Sequence, residues 1–137
     1  TIADDSGLCV DALNGAPGIY SARYGGVDSD QARYRLLLEN LRGQTPRTAK
    51  FVSVITCCFP NGDVLTARGE CPGTIAFAPM GEGGFGYDPV FFIPSLKKTF
   101  AQLTPEEKNA ISHRGNALRK FAAELKEYLA NNEHLEK

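Results

Sequence analysis

The stretch Ala49-Lys50-Phe51-Val52-Ser53-Val54-Ile55-Thr56-Cys57-Cys58-Phe59-Pro60-Asn61-Gly62-Asp63-Val64 decides the fold. Read as an extended strand over residues 49–59, it places Phe51, Ile55 and Phe59 on one face and Val52 and Val54 on the other. Apolar residues on both faces predict a central strand covered on two sides. Pro60-Asn61-Gly62-Asp63 then supplies the Asn-Gly of a tight hairpin. Residues 64–70 return antiparallel. Cys71-Pro72-Gly73 is expected to break that strand, with residues 74–78 continuing it after a bend or bulge.

Working outward, residues 29–42 read as a helix. Asp28 is the expected cap, with Gln31 three residues on as in a capping box. Tyr34, Leu37, Leu38 and Leu41 form its apolar face, and Gly43 stops it. Residues 1–10 read as a short strand interrupted by the polar Asp4-Asp5-Ser6-Gly7, followed by a turn at Asn14-Gly15-Ala16-Pro17-Gly18 and a loop through residues 23–26. Residues 79–89 form a glycine-rich loop, and residues 90–93 a short buried strand between two prolines. Thr104-Pro105-Glu106-Glu107 is a helix start with a hydroxyl cap, an early proline and a closing glutamate. Ser112 opens the last helix, with Leu118, Phe121, Ala122, Leu125 and Leu129 on one face and a tail expected to fray after Asn131. The order predicts an α/β or α+β domain on a mixed sheet. Thr1 rather than Met opens the sequence, inside a strand, so the chain is expected to be processed, trimmed or partial, with an element before Thr1 completing the sheet.

The totals bound the function classes. At 137 residues the chain fits one domain. Fifteen basic and sixteen acidic residues nearly cancel, which gives no reason to expect nucleic acid or an acidic membrane as partner. No apolar run approaches the roughly 20 residues of a membrane span, and no leader opens the chain. Cys9, Cys57, Cys58 and Cys71 form no Cys-x-x-Cys pair. With His113 and His134 as the histidines, zinc is poorly supported, and reduced thiols in a cytoplasmic protein are expected.

Three clusters could carry chemistry. In Asp4-Asp5-Ser6-Gly7, strand alternation sends the two carboxylates to opposite faces, so one of them, not both, is expected at a shared site. Such oxygens suit Mg2+; an acidic turn with Ser6 as a backbone cap is the bland alternative. Gly81-Glu82-Gly83-Gly84-Phe85-Gly86 matches G-x-G-x-x-G, but Tyr87-Asp88-Pro89 and a β-type run follow where a dinucleotide fold needs a helix. What remains is a loop that lets a ligand approach the backbone, with Phe85 or Tyr87 able to stack on a base, or a plain surface turn. Lys108, Ser112, His113 and Arg114 place cations at the positive end of a helix. A phosphate or the keto edge of a purine would compensate them; a solvated basic cluster is the alternative. Neither His113 nor Ser6 has the setting of a nucleophilic triad.

Four motifs occur in order: Ala3-Asp4-Asp5-Ser6-Gly7-Leu8, Gly15-Ala16-Pro17-Gly18-Ile19-Tyr20-Ser21-Ala22-Arg23-Tyr24, Gly84-Phe85-Gly86-Tyr87-Asp88-Pro89 and Ser112-His113-Arg114-Gly115. Together they resemble the inosine/xanthosine triphosphate pyrophosphatase family (Ham1-like, RdgB-like) over residues 1–125. The resemblance implies an α/β fold with an elongated mixed sheet flanked by helices, in two lobes around a substrate cleft. It implies a homodimeric, Mg2+-dependent enzyme that hydrolyses ITP, dITP and XTP to monophosphate and pyrophosphate. By position, Asp5 matches the general base and metal ligand, and Ser6 a substrate contact. Phe85, Gly86, Tyr87 and Asp88 match the loop holding the nucleoside end, and Lys108, His113 and Arg114 the donors around the base. The family's Ser/Thr-Gly-Asn-x-x-Lys phosphate cradle and a metal-binding glutamate are not found here, because the matching region lies before Thr1. Residues 1–137 are thus expected to be one pyrophosphatase domain lacking its front. The alternatives are a nucleotide-binding fragment without activity and a Maf-like pyrophosphatase of other base preference.

Overall fold

The computed structural model describes residues 1–132. Residues 133–137, on which the expected frayed tail and His134 fall, lie outside the described residues. Strand β1 spans Ile2–Val10, and the two-residue β2 spans Pro17–Gly18. Helix α1 follows over Asp30–Asn40, then β3 over Thr48–Cys58 and β4 over Val64–Ile75. Short strands β5 (Phe91–Ile93) and β6 (Lys98–Thr99) lead to α2 (Pro105–Ile111) and α3 (His113–Asn132). The strands form one sheet in the order β2-β1-β3-β4-β5-β6.

All five described pairings are antiparallel, where a mixed sheet was expected. The reason is where the chain re-enters. Val10 at the end of β1 lies opposite Ala49 at the start of β3, so the excursion through α1 leaves and returns at one end of the sheet. β1 is also continuous rather than interrupted, because its whole length from Ile2 to Val10 is in register with β3. The predicted hairpin forms, with Gly62 at φ 94° in the turn. β4 runs unbroken through Cys71-Pro72-Gly73, contrary to expectation. The Ile75 amide donates toward the β3 side, to Arg47 O, and the Ala76 amide away from it, to Val90 O. By that alternation the Pro72 nitrogen faces away from β3, where β4 pairs with β5 only at Thr74 and Ile75. A proline there removes no ladder bond.

The sheet buries one face. Leu8, Val10, Leu37, Leu41, Phe51, Phe91 and Phe100 make the larger core cluster, and Ile55, Cys57, Ala67, Ala117 and Phe121 the smaller. On the other face Val52 and Val54 are only half-buried, so β3 is central but not covered on both sides. Helix α1 keeps its predicted inner face, but its cap is Ser29, whose Oγ accepts from the Ala32 amide at 3.0 Å, not Asp28.

Helix α3 packs on β3 and β4 through Ala117, Phe121 and Leu125. Leu118 and Leu129 are about half exposed (49% and 56%) and Ala122 is exposed, so the inner face lies one residue from the expected stripe. Gly69 sets that rotation. A methyl group there would run into the His113 carbonyl and the Ala117 backbone. Gly69→Ala should therefore lift α3 and cost about 1–3 kcal/mol, the usual range for overpacking. Urea unfolding measures this; an unchanged midpoint would show that the close approach is dispensable.

Candidate active site

One cavity of about 460 Å3 lies on the covered side of the sheet. Ser6, Leu8 and Phe51 contribute from the strands, and Phe85 to Asp88 from the glycine-rich loop. Lys108 and Asn109 of α2, Ser112 to Arg114 at the start of α3, and Asp30 and Arg33 of α1 complete it.

The register of β1 decides which of its polar residues arrive there. Ser6 lies opposite Ser53 and Leu8 opposite Phe51, on the core face. Asp4, opposite Ile55, shares that face; it accepts from Ser53 Oγ at 3.1 Å and pairs with Arg114 Nε at 3.1 Å. Asp5 lies opposite Val54 on the other face and is exposed. Its side chain makes no hydrogen bond or ion pair among the described residues and does not line the cavity. The structure thus gathers Ser6, Phe85, Gly86, Tyr87, Asp88, Lys108, His113 and Arg114, and leaves Asp5 apart.

The loop is held from within. Asp88, 3% exposed, accepts from the Phe85 amide at 3.0 Å and pairs with Lys108 Nζ at 2.6 Å. Burial raises its carboxyl above the usual range, against the pull of Lys108 and the Phe85 amide. Gly84 has φ 73°, and a side chain there would strike the Asp88 carboxylate; only glycine combines that conformation with that contact. Tyr87 is buried, its hydroxyl donating to Ser21 O at 2.6 Å, and burial pushes its pKa up to about 12. It braces the wall, while Phe85, 62% exposed, is the aromatic free to meet a ligand. Lys108 Nζ sits 4.5 Å and Arg114 Cζ 5.9 Å from the Phe85 ring centre.

The start of α3 brings the remaining groups. Ser112 caps it, its Oγ accepting from the Gly115 amide at 3.0 Å. The His113 ring stacks on Phe51, centroids 4.6 Å apart. Its Nδ1 is a buried side-chain polar atom with no partner among the described residues. Such an atom costs about 1–3 kcal/mol and calls for an explanation such as a ligand or ordered water. Burial first, then Arg114 and Lys108, push His113 down to about 4, with Asp4 opposing.

Sequence reasoning missed Asp4, Asp30, Arg33, Ser21, Phe51 and Asn109. Asp4 was one of the two candidates that alternation allows. Phe51 carries the signal of a core residue, which it also is. Asp30 and Arg33 carried an ordinary helix-surface signal.

Comparison with known proteins places this geometry in context. The profile of the Ham1 family matches residues 1–124. A dITP/XTP pyrophosphatase of Exiguobacterium sp. (strain ATCC BAA-1283 / AT1b) is 58% identical over 125 residues, covering 90% of this chain and 64% of that protein. One from Thermosynechococcus vestitus is 52% identical over 128 residues, covering 93% and 63%. The chain therefore spans just under two thirds of the length of these curated relatives. Among solved structures, the Staphylococcus aureus Ham1 protein superposes with a TM-score of 0.89 at 51% identity, over 93% of this chain and 67% of that one. A HAM1 protein from Coxiella burnetii gives 0.86 at 46%, over 92% and 66%. Both likenesses bear out the expected α/β fold.

The His113 environment is directly measurable. Because its folded pKa lies below its ordinary 6.5, the unfolded chain takes up the proton first as pH falls. Stability is then lost between about 6.5 and about 4. NMR titration of the ring, assigned by comparison with His113→Gln, should give a midpoint near 4; a midpoint near 6.5 would mean the ring is solvated.

Proposed function

The chain belongs to the Ham1 family, and from that premise we propose that its cavity receives the base of a deaminated purine nucleoside triphosphate. The whole protein then hydrolyses ITP, dITP or XTP to the monophosphate and pyrophosphate. Family membership sets aside the Maf-like alternative.

One observation carries the reading: the cations of the cavity have donors to spare beyond those that their carboxylate partners use. Asp88 is engaged by Lys108 and the Phe85 amide, and Asp30 by Arg33 and the Gly86 amide. Lys108 keeps further Nζ hydrogens and Arg114 its terminal guanidinium N–H groups. A 6-keto oxygen finds donors there. The 6-amino group of adenine, itself a donor, meets those same donors, and an unpaired buried polar group costs about 1–3 kcal/mol. Phe85 supplies the stacking face.

Asp5 fits the phosphate end of the same substrate. Ser6 and Asp5 are neighbours on β1 facing opposite ways. For both to act on one nucleotide, its base would lie in the cavity near Ser6 and its phosphates on the Asp5 side of β1. There Asp5 orients and deprotonates the water that attacks the α-phosphorus.

The residues present also fit Mg2+. No group of three or more His, Cys, Asp or Glu side chains forms a metal cage among the described residues, but Mg2+ takes one or two carboxylates together with substrate phosphates. Asp4, Asp30 and Asp88 are engaged by cations; Asp5 is the carboxylate available to hold it. When bound, Mg2+ supplies charge neutralisation at the pyrophosphate leaving group.

A homodimer in the cytoplasm, with residues 1–137 part of one pyrophosphatase domain, completes the reading. Free cysteines suit a reducing compartment, and no described helix is long and apolar enough to cross a membrane. The dimer rests on the family resemblance. A second reading, nucleotide binding without turnover, is favoured by the separation of Asp5 from the cavity.

Calorimetric titration with ITP, ATP and GTP in the presence of Mg2+, followed by a pyrophosphate assay, tests these points. ITP should bind this chain at least about tenfold more tightly than ATP or GTP. Lys108→Met should remove most of that preference. Where pyrophosphate is released, Asp5→Asn should cut release by about 100-fold or more with ITP affinity little changed. Equal binding of ITP and ATP would sink the base-recognition reading, and binding without release would favour the second one.

A further inference from the structure

Phe85 has few neighbours to fix its ring, being 62% exposed, and it is followed by Gly86 at φ 61° with open space around its α-carbon. A turn through glycine has wide conformational freedom, so the direction of Phe85 depends on how the adjacent backbone is tied. Phe85 is tied on its own amide by Asp88 at 3.0 Å, and Tyr87 by its hydroxyl on Ser21 O at 2.6 Å. The bond on Gly86 itself comes from outside the loop: its amide donates to Asp30 Oδ2 at 3.0 Å, across 56 residues of sequence.

Asp30 is built to make that bond. It occupies the first turn of α1, directly after the Ser29 cap. Arg33, one turn on and with its side chain 16% exposed, is anchored by donating to Val27 O at 2.9 Å. Its other terminal nitrogen binds Asp30 Oδ1 at 2.8 Å. One carboxylate oxygen is thus occupied by Arg33, and the second is aimed at Gly86. Both Asp30 and Arg33 line the cavity.

We propose that Asp30 is a positioning residue, which, aimed by Arg33, fixes the Phe85-Gly86 turn so that the Phe85 ring is presented to the base. The inference rests on the reading that a purine stacks at Phe85; the tie itself stands on geometry alone. The low pKa that Arg33 and the Gly86 amide confer on Asp30 agrees with a carboxylate held in its charged form.

The test compares Asp30→Ala and Asp30→Asn with the wild-type chain by two measurements: amide hydrogen exchange at Gly86 and calorimetric affinity for ITP. Asp30→Ala should speed Gly86 exchange about tenfold and weaken ITP by a similar factor, as expected for loss of a charge-assisted hydrogen bond. Amides of β3 should keep their wild-type protection. Asp30→Asn keeps one acceptor oxygen but sets its NH2 group against a donor, Arg33 or the Gly86 amide, so it should recover only part of both losses. Two outcomes would overturn the proposal. In the first, Asp30→Ala leaves both readings unchanged. In the second, protection falls throughout β3, which makes the role globally structural. If the wild-type chain does not bind ITP, the base-recognition reading fails, and exchange at Gly86 alone judges the tie.

Discussion

The contact between Lys108 Nζ and Asp88 Oδ2, at 2.6 Å, joins the two halves of the cavity. Asp88 ends the glycine-rich loop and is almost wholly buried; Lys108 stands on α2 with its side chain 20% exposed. Taking a carboxylate out of water is tolerable only with a partner in good geometry, and removing one partner of such a pair costs about 3–5 kcal/mol. The loop therefore cannot drift from α2 without stranding a charge. Other features follow from this one. Gly84 lacks a side chain because the Asp88 carboxylate occupies its space. The Phe85 amide turns inward because Asp88 offers it the second contact. Lys108 in turn is delivered by a short helix whose Thr104–Glu107 box fixes its first turn, with reciprocal bonds of 3.1 and 2.9 Å.

The sheet contributes a partition rather than a pocket floor alone. Its period of two sends Asp4 and Ser6 to the covered face and Asp5 and Gly7 to the other. Gly7 is where this partition is thinnest: a side chain there would come within 2.5 Å of the Gly18 carbonyl. That contact keeps β2 close against β1, where the two pair at Leu8 and Cys9.

Local signals were legible in the sequence; coincidences across the chain were not. The Asn61-Gly62 hairpin and the Thr104 start are written within a few residues, and both form as read. The clusters Gly84-Phe85-Gly86-Tyr87-Asp88-Pro89 and Ser112-His113-Arg114-Gly115 were recognisable as a set, and seven of their residues meet in one cavity. Pro72 misled because its effect on a strand depends on which side its nitrogen faces, a property of the neighbours. Leu118 misled because the rotation of α3 is set by Gly69, on another element. Asp30 was silent for the same reason: nothing near it in the chain shows that Gly86 will arrive beside it.

On the proposed reading, the charges around the cavity also bear on which end of a nucleotide belongs there. Each of its three cations faces a carboxylate: Lys108 with Asp88, Arg114 with Asp4, and Arg33 with Asp30. Pair by pair the charge cancels, so there is little net field to hold a bare triphosphate. The hydrogen-bonding capacity does not cancel. Ammonium and guanidinium groups carry several donors each, and these pairings use only some of them. His113 follows the same logic: buried, with its ring stacked on Phe51 and two cations near, it is disfavoured for protonation, so it adds no further charge. A wall that is electrically balanced yet rich in donors suits a neutral, keto-bearing base better than an anion, which argues for phosphates lying outside it.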